Sequence, residues 1–129
     1  MKEETKQWLK YAEENLEAAK ILSESHLYNT ALHNVQQSVE KAIKPIFIEK
    51  GIKLKKSHSI TELNSILEEN DIELELSDED IDLLDSIYLP SKYPLGSVLP
   101  DYFPDEKITQ RCISMAEKAI QSIKIVVNK

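Results

Sequence analysis

Apolar residues recur every three or four positions through long stretches of this chain, and this spacing limits it to a helical fold. In the first stretch, about residues 2–24, the apolar positions are Trp8, Leu9, Ala12, Leu16, Ala19 and Leu22. In the second, about residues 28–50, they are Leu32, Val35, Val39, Ala42, Ile43 and Ile46. Steps of three and four place such side chains on one stripe of a helix. The pattern therefore predicts two long amphipathic helices.

The link between these two helices is short, since only Ser25, His26 and Leu27 separate them. Two long helices joined by so few residues must run antiparallel. Gly51 follows the second helix as its expected C-cap. Pro45 lies within that helix, where it lacks a backbone donor and crowds the preceding turn, so a kink is expected just before it.

Three further helices complete the prediction. Ser57 or Ser59 caps a third, shorter helix, and Ser77 or Asp78 begins a fourth after an irregular connection over residues 70–76. Four prolines between residues 89 and 105 predict a loop there. A fifth helix spans about residues 105–127. We therefore predict one all-α domain over residues 1–129, an up-and-down antiparallel helical bundle with four to five helices, three long and two shorter.

The composition limits both the fold class of this domain and the compartment in which it is expected. The chain has two glycines, too few for the repeated tight turns of an all-β protein. Its single cysteine, Cys112, fits a reducing compartment and is expected in the core. No apolar run approaches the roughly 18 residues that span a bilayer, and no signal peptide is evident. We expect a cytoplasmic protein without membrane contact.

The net charge of −7 is unevenly distributed. Ten acidic and no basic residues lie between Glu68 and Asp85, which leaves +3 for the rest of the chain. Proteins that bind nucleic acid through its phosphates usually have a basic excess, so no DNA binding is expected. The densest basic cluster is Lys50, Lys53, Lys55 and Lys56. It is either a local basic patch or, more simply, a solvated loop.

A polar stripe follows one side of the second helix. It consists of His33, Gln37, Glu40 and Lys44, flanked by Gln36 and Lys41. Any surface helix needs a polar side, and Glu40 with Lys44 is an ordinary i, i+4 ion pair. An imidazole and adjacent amides are, however, poor choices for solvation alone. The stripe is therefore either a solvated surface or a face that binds another subunit or a polar ligand.

The stripe is also part of an ordered series of residues along the chain. The series runs from Trp8, Ala12, Leu16 and Ala19 through Ala31, Gln36–Gln37 and Val39–Glu40–Lys41–Ala42 with Lys44, to His58 with Leu63 and finally Lys92–Tyr93–Pro94. In order and spacing it resembles the landmarks of stand-alone prokaryotic HEPN proteins. The resemblance covers nearly the whole chain, from about Trp8 to Ile123.

The resemblance implies an up-and-down helical bundle, a homodimer and a minimal nucleotidyltransferase as partner, often in a toxin–antitoxin system. Together with the polar stripe and the aromatic residues of the loop over residues 89–105, the resemblance also leads us to expect nucleotide or RNA as a ligand, with Lys41, Lys44, His58, Lys92 and Tyr93 as candidate binding residues. The candidate interface residues are His33, Gln36, Gln37 and Glu40. No cofactor and no metal site are expected, because no histidine pair has metal-ligand spacing.

Several HEPN branches are metal-independent RNases that need an arginine followed four to six residues later by a histidine. The one arginine of this chain, Arg111, has no histidine after it, and the three histidines lie at 26, 33 and 58. Where relatives commonly have Arg-Tyr-Pro, this chain has Lys92–Tyr93–Pro94, and lysine lacks the planar bidentate fork of arginine. We therefore do not expect RNase activity.

Three functions remain open. The first is a non-catalytic, dimeric accessory module that partners a nucleotidyltransferase, the second is a divergent RNase toxin, and the third is a purely structural dimerisation domain.

His58 also has two interpretations. Beside Lys55 and Lys56 it can help the free backbone donors of the third helix to bind an anion, or it simply caps the end of the bundle.

Overall fold

The computed structural model describes residues 1–53, 59–92 and 104–128, with the backbone alone over 88–92. These residues form α-helices and no strand. The helices are α1 (Glu3–Glu24), α2 (Tyr28–Lys50), α3 (Ile60–Glu69), α4 (Asp78–Lys92) and α5 (Glu106–Val127). The predicted all-helical fold, with three long and two shorter helices, is confirmed. Within the described ranges, no helix has the length and apolarity needed to cross a membrane.

The second helix is the centre of the bundle. It packs against α1 most extensively, and also against α5 and α4. All six apolar residues that the sequence places on its inner stripe are fully buried, as are Phe47 and Ala31. Pro45 lies inside the helix, which continues beyond it to Lys50. Buried apolar residues of all five helices join in one core, which includes Cys112 as predicted.

Both α2 and α5 run antiparallel to α1. Along the α1–α2 pair, the backbone N–H of Lys2 donates to Glu49, and Asn15 donates to Asn34. Along the α1–α5 pair, Ser23 accepts from Gln110, whereas Glu13 pairs with Lys124 near the other end. The antiparallel arrangement predicted from the short α1–α2 link is therefore confirmed.

Three helices end in the same way, with a residue in the left-handed region. His26 (φ 61°) follows α1, Gly51 (φ 68°) follows α2, and Asp71 (φ 60°) follows α3. In each case the next residue donates its N–H back over five positions, as Leu27 does to the carbonyl of Leu22 at 2.9 Å. This is the Schellman arrangement, which satisfies carbonyls that the helix itself leaves unpaired. The sequence predicts only the glycine, because His26 and Asp71 adopt this conformation without the freedom of glycine.

The end of α4 departs from the prediction. Residues 89–92 are expected in a proline-rich loop, but α4 continues through Pro90 to Lys92. Proline removes only its own N–H donor, so the N–H groups of the two residues that follow it can still bond to the preceding turn. A proline near a helix end therefore weakens that last turn without ending the helix.

Candidate functional site

The polar stripe of α2 is only partly a surface. Gln36 and Glu40 are almost completely buried, with 0% and 2% of their surface exposed. His33, Gln37 and Lys44 are half-buried instead. Two of the four candidate interface residues are therefore enclosed within the chain, and the exposed edge of the stripe consists of the other two with the lysines.

Lys44 links this buried layer to the surface. Its Nζ lies 3.1 Å from Oε1 of Glu40 and 5.1 Å from the ring centroid of Trp8. The side chains are 18% exposed for Lys44 and 3% for Glu40. With so little solvent around them, the two charges attract each other more strongly than in a surface pair, although both also lose hydration, and the cation over the indole face adds a further attraction. The i, i+4 pair predicted from the sequence is confirmed, but it is largely desolvated.

The side chain of Gln37 is held by hydrogen bonds to two buried residues of the same helix. Its Nε2 donates to Oε1 of Gln36 at 2.9 Å and, more weakly, to Oε2 of Glu40 at 3.5 Å. Using its amide donors in this way leaves Oε1 of Gln37 as an acceptor at the surface. The buried residues Gln36 and Glu40 thus set the orientation of the one glutamine of the stripe that a ligand or a partner can reach.

A second polar chain closes the seam between α1 and α2. Lys41 Nζ donates to Oδ1 of Asn15 at 2.8 Å, and Nδ2 of Asn15 donates to Oδ1 of Asn34 at 2.9 Å. Asn34 in turn donates to the carbonyl of Thr30 at 3.0 Å. The contact with Asn15 uses one of the three ammonium donors of Lys41, so two can point elsewhere.

Aromatic residues of α1 border this seam. Trp8 is half-buried, and Tyr11, one turn later, is 48% exposed. We call these partly exposed residues of the two helices, taken together with the polar groups, the α1–α2 face. It consists of Trp8, Tyr11, Asn15, His33, Gln37, Lys41 and Lys44. The face combines aromatic rings, amides and two lysines, whereas the carboxylate of Glu40 lies beneath it.

Of the five candidate ligand-binding residues, the structure brings Lys41 and Lys44 together. Lys92 is the last residue of α4, so it belongs to a helix and not to the loop that the sequence predicts. His58 and Tyr93 lie outside the described residues, as do Lys55 and Lys56 of the basic cluster. Lys50 and Lys53 are exposed.

The start of α3 is already bound to a carboxylate. The helix begins at Ile60 with Ser59 as its N-cap. Oδ1 of Asp85, on α4, accepts from the N–H of Ile60 at 2.7 Å, and its Oδ2 accepts from the N–H of Thr61 at 2.9 Å. The backbone donors predicted to be free for an external anion are therefore engaged within the chain. Of the two interpretations left open for His58, binding of an external anion therefore lacks the free backbone donors it requires.

The arginine and the two described histidines, the residue types that the RNases of this kind require, lie on separate elements. Arg111, on α5, is 3.9 Å from Oδ1 of Asp80. His26 is in the α1–α2 turn, where Nδ1 lies 2.7 Å from the hydroxyl oxygen of Tyr28. His33 is within α2. Each of these groups is therefore held in its own part of the fold.

Comparison with known proteins places this bundle in a family. The model of the HEPN domain matches residues 5–126, almost the entire chain. The chain belongs to the HEPN family. The resemblance inferred from the ordered series of residues between Trp8 and Pro94 is therefore confirmed.

Relatives of this HEPN chain include archaeal and bacterial proteins. "Putative toxin MJ1304" of Methanocaldococcus jannaschii is 28% identical, covering 92% of this chain and 85% of that protein. The crystal structure of ST0689, an archaeal HEPN homologue, is 27% identical with a TM-score of 0.71, covering 98% of this chain and 99% of the other. TT1696 from Thermus thermophilus has a TM-score of 0.74 at 22% identity, covering 95% and 97%, and it shows a shared fold.

Sequence reasoning missed two residues that organise the HEPN bundle. Asn15 joins Lys41 to Asn34, and Asp85 holds the start of α3. A signal for Asn15 was available, since it stands seven residues after Trp8 on the same side of α1 as that ring. The sequence contains no signal for Asp85, because it is one of ten acidic residues between Glu68 and Asp85 and nothing distinguishes it from the other nine.

Proposed function

We propose that this HEPN protein is a non-catalytic accessory module of a toxin–antitoxin-like pair, a homodimer that partners a minimal nucleotidyltransferase. The observation that carries the proposal is the α1–α2 face, whose polar groups are fixed by internal bonds. Lys44 is bound by Glu40 and Trp8, and Lys41 by Asn15. Groups held in this way suit recognition, which requires fixed donors and acceptors.

Two comparisons support the toxin-related part of the proposal. The family model identifies the module as HEPN, and the relative from M. jannaschii carries the word toxin in its name. The missing histidine after Arg111 supports a role without RNA cleavage. On this proposal the chain contributes binding to the pair, and its nucleotidyltransferase partner contributes the chemistry.

The α1–α2 face is proposed as the surface through which the module binds a second copy. Tyrosine and tryptophan are favoured at such contacts because a rigid ring gives a large contact area at small entropic cost. Tyr11 is exposed and lies one turn from Asn15, which accepts a hydrogen bond from Lys41, so it can act as an aromatic anchor beside these polar groups.

Sedimentation of matched variants tests this assembly. We expect the native chain to sediment as a dimer and Tyr11→Asp as a monomer, since a buried, unpaired carboxylate opposes association. Ile21→Asp is the control, because Ile21 is a similarly exposed apolar residue of α1 (55%) outside the face. A native chain that is monomeric at high concentration, or equal effects of both substitutions, would contradict the proposed surface.

Nucleotide binding is tested by thermal unfolding with millimolar ATP, GTP or short RNA. A ligand that binds only the folded chain raises the melting temperature. We expect the rise to be lost in Lys41→Gln, which removes the charge while a side-chain amide can still bond Asn15, and retained in Lys10→Gln on the exposed side of α1. The absence of a shift with any of these ligands would argue against a ligand site.

RNase activity is the outcome that would favour the alternative function, a divergent toxin that cleaves RNA itself. The purified chain is incubated with RNA in a metal chelator, and we expect no cleavage. Cleavage that is abolished by His33→Ala or His58→Ala would overturn the non-catalytic proposal. Cleavage retained in both variants would point to a contaminating nuclease, which a second purification of the same variants checks.

A further inference from the structure

Helix α3 is attached to the bundle differently from the other helices. It is the shortest helix, with 10 residues, and it packs mainly on α4 and slightly on α2. Its apolar side chains Ile60, Leu63 and Leu67 are fully buried. The α4 residues Ile81, Leu84 and Ile87 belong to the same apolar cluster. Among the described residues, α3 is therefore joined to the bundle mainly through α4 and through the one apolar core.

The polar bonds at the start of α3 converge on one side chain. Besides the N–H groups of Ile60 and Thr61, the hydroxyls of Ser59 and Thr61 donate to Oδ2 of Asp85, at 3.3 and 2.5 Å. Four donors thus surround one carboxylate. Ser59 Oγ also accepts from the N–H of Glu62, as a helix cap. The donors of the first turn of α3 are satisfied largely by this carboxylate and this cap.

A carboxylate at a helix N-terminus is favourable because it faces the positive end of the helix dipole. Charge-assisted hydrogen bonds are also about twice as strong as neutral ones. The N-terminus of α3 therefore binds an anion, and the anion is a side chain of the neighbouring helix. Asp85 acts as an intramolecular ligand that fastens α3 to α4.

We propose that α3 is a separately opening unit of the bundle, and that Asp85 is the latch that keeps it closed. Local unfolding usually follows such units, which have few contacts with the rest of the structure. When the latch is released, α3 leaves α4 while α1, α2 and α5 keep their mutual packing. Opening exposes the apolar side of α4 that α3 covers.

Hydrogen exchange read by mass spectrometry tests the latch. We expect Asp85→Ala to speed amide exchange over residues 60–69 at least about tenfold, as the loss of bonds to a charged group implies, with little change in α1 and α5. Asp82→Ala is the matched control, since Asp82 is an exposed acid of the same helix. An unchanged rate in α3, or an equal increase in every helix, would overturn the proposal.

Chemical rescue separates the latch from a general loss of stability. Acetate added to Asp85→Ala can occupy the vacated donors at Ile60 and Thr61, so we expect it to slow exchange in α3, with chloride at equal ionic strength having no such effect. Failure of acetate to restore protection would contradict the anion-held start of α3. If Asp85→Ala does not fold, Asp85→Asn, which keeps the shape and one acceptor oxygen, is used with the same readout.

Discussion

Lys44 and Glu40 form an ion pair, 3.1 Å between Nζ and Oε1, in which the carboxylate is almost without solvent. Lys44 is the cation that this carboxylate faces, and breaking a buried ion pair by removing one partner is strongly destabilising. We expect Lys44→Met to lower the free energy of unfolding by about 3 kcal/mol. The loss is measured by urea denaturation.

Lys10→Met serves as the control for this substitution, because Lys10 is exposed on α1. Its effect should stay within about 0.5 kcal/mol. Replacing both Glu40 and Lys44 by apolar residues should cost less than Lys44→Met alone, since no charge is then stranded. Equal losses for Lys44→Met and Lys10→Met would show that the pair contributes little.

The hydroxyl of Thr5 is a buried polar group with no partner among the described residues. Thr5 is 0% exposed, so its hydroxyl loses water without gaining a hydrogen bond. We expect Thr5→Val, which keeps the shape, to raise the free energy of unfolding by about 1 kcal/mol. Thr5→Ser keeps the hydroxyl and opens a cavity, so it should destabilise. If Thr5→Val instead lowers the free energy of unfolding, the hydroxyl of Thr5 forms a hydrogen bond in solution.

The amide of Asn15 joins α1 to α2 by accepting from Lys41 and donating to Asn34. Asn15→Leu removes both bonds at a half-buried position. We expect a loss of about 1–2 kcal/mol in thermal or urea unfolding. Gln121→Leu, on the exposed side of α5, is the matched control. If the two variants are equally stable, the amide chain does not help to close the seam.

Burial raises the pKa of the Cys112 thiol from 9.0 to about 11, with smaller and opposing effects from Arg111, which lowers it, and Asp80, which raises it. The unfolded chain loses this proton at a lower pH than the folded chain. The thiol therefore contributes fully to stability below pH 9, and the contribution falls as pH rises toward 11. In Cys112→Ala this decrease is absent.

Urea unfolding at about pH 8 and about pH 10.5 measures this effect, because these values lie on either side of the thiol pKa of the unfolded chain. We expect the stability difference between the native chain and Cys112→Ala to shrink at the higher pH, because only the native chain loses the thiol contribution. A thiol reagent at the lower pH should react slowly until the chain unfolds. A constant difference and rapid labelling of the folded protein would contradict the buried position of Cys112.

The helices were predictable because the apolar period of about 3.6 residues is a local signal that α1, α2 and α5 repeat over many turns. The Schellman end at His26 and the continuation of α4 past Pro90 were not predictable, because residue preferences disfavour both and such preferences are only weak guides to where a helix ends. On the α1–α2 face, the sequence identified the stripe of α2. It did not reveal that Gln36 and Glu40 are buried, nor that Asn15 and Trp8 approach from α1, since such pairings join distant residues.

The central place of α2 has a consequence for comparing HEPN sequences. The buried side of α2 packs against all four other helices, so a substitution there disturbs the centre of the bundle, whereas one on the outer side of α1 or α5 meets mainly water. Invariance along α2 would thus arise from packing alone, even at polar residues such as Gln36 and Glu40. Evolutionary constraint becomes informative about function at exposed residues such as Tyr11, where packing places few demands on the side chain.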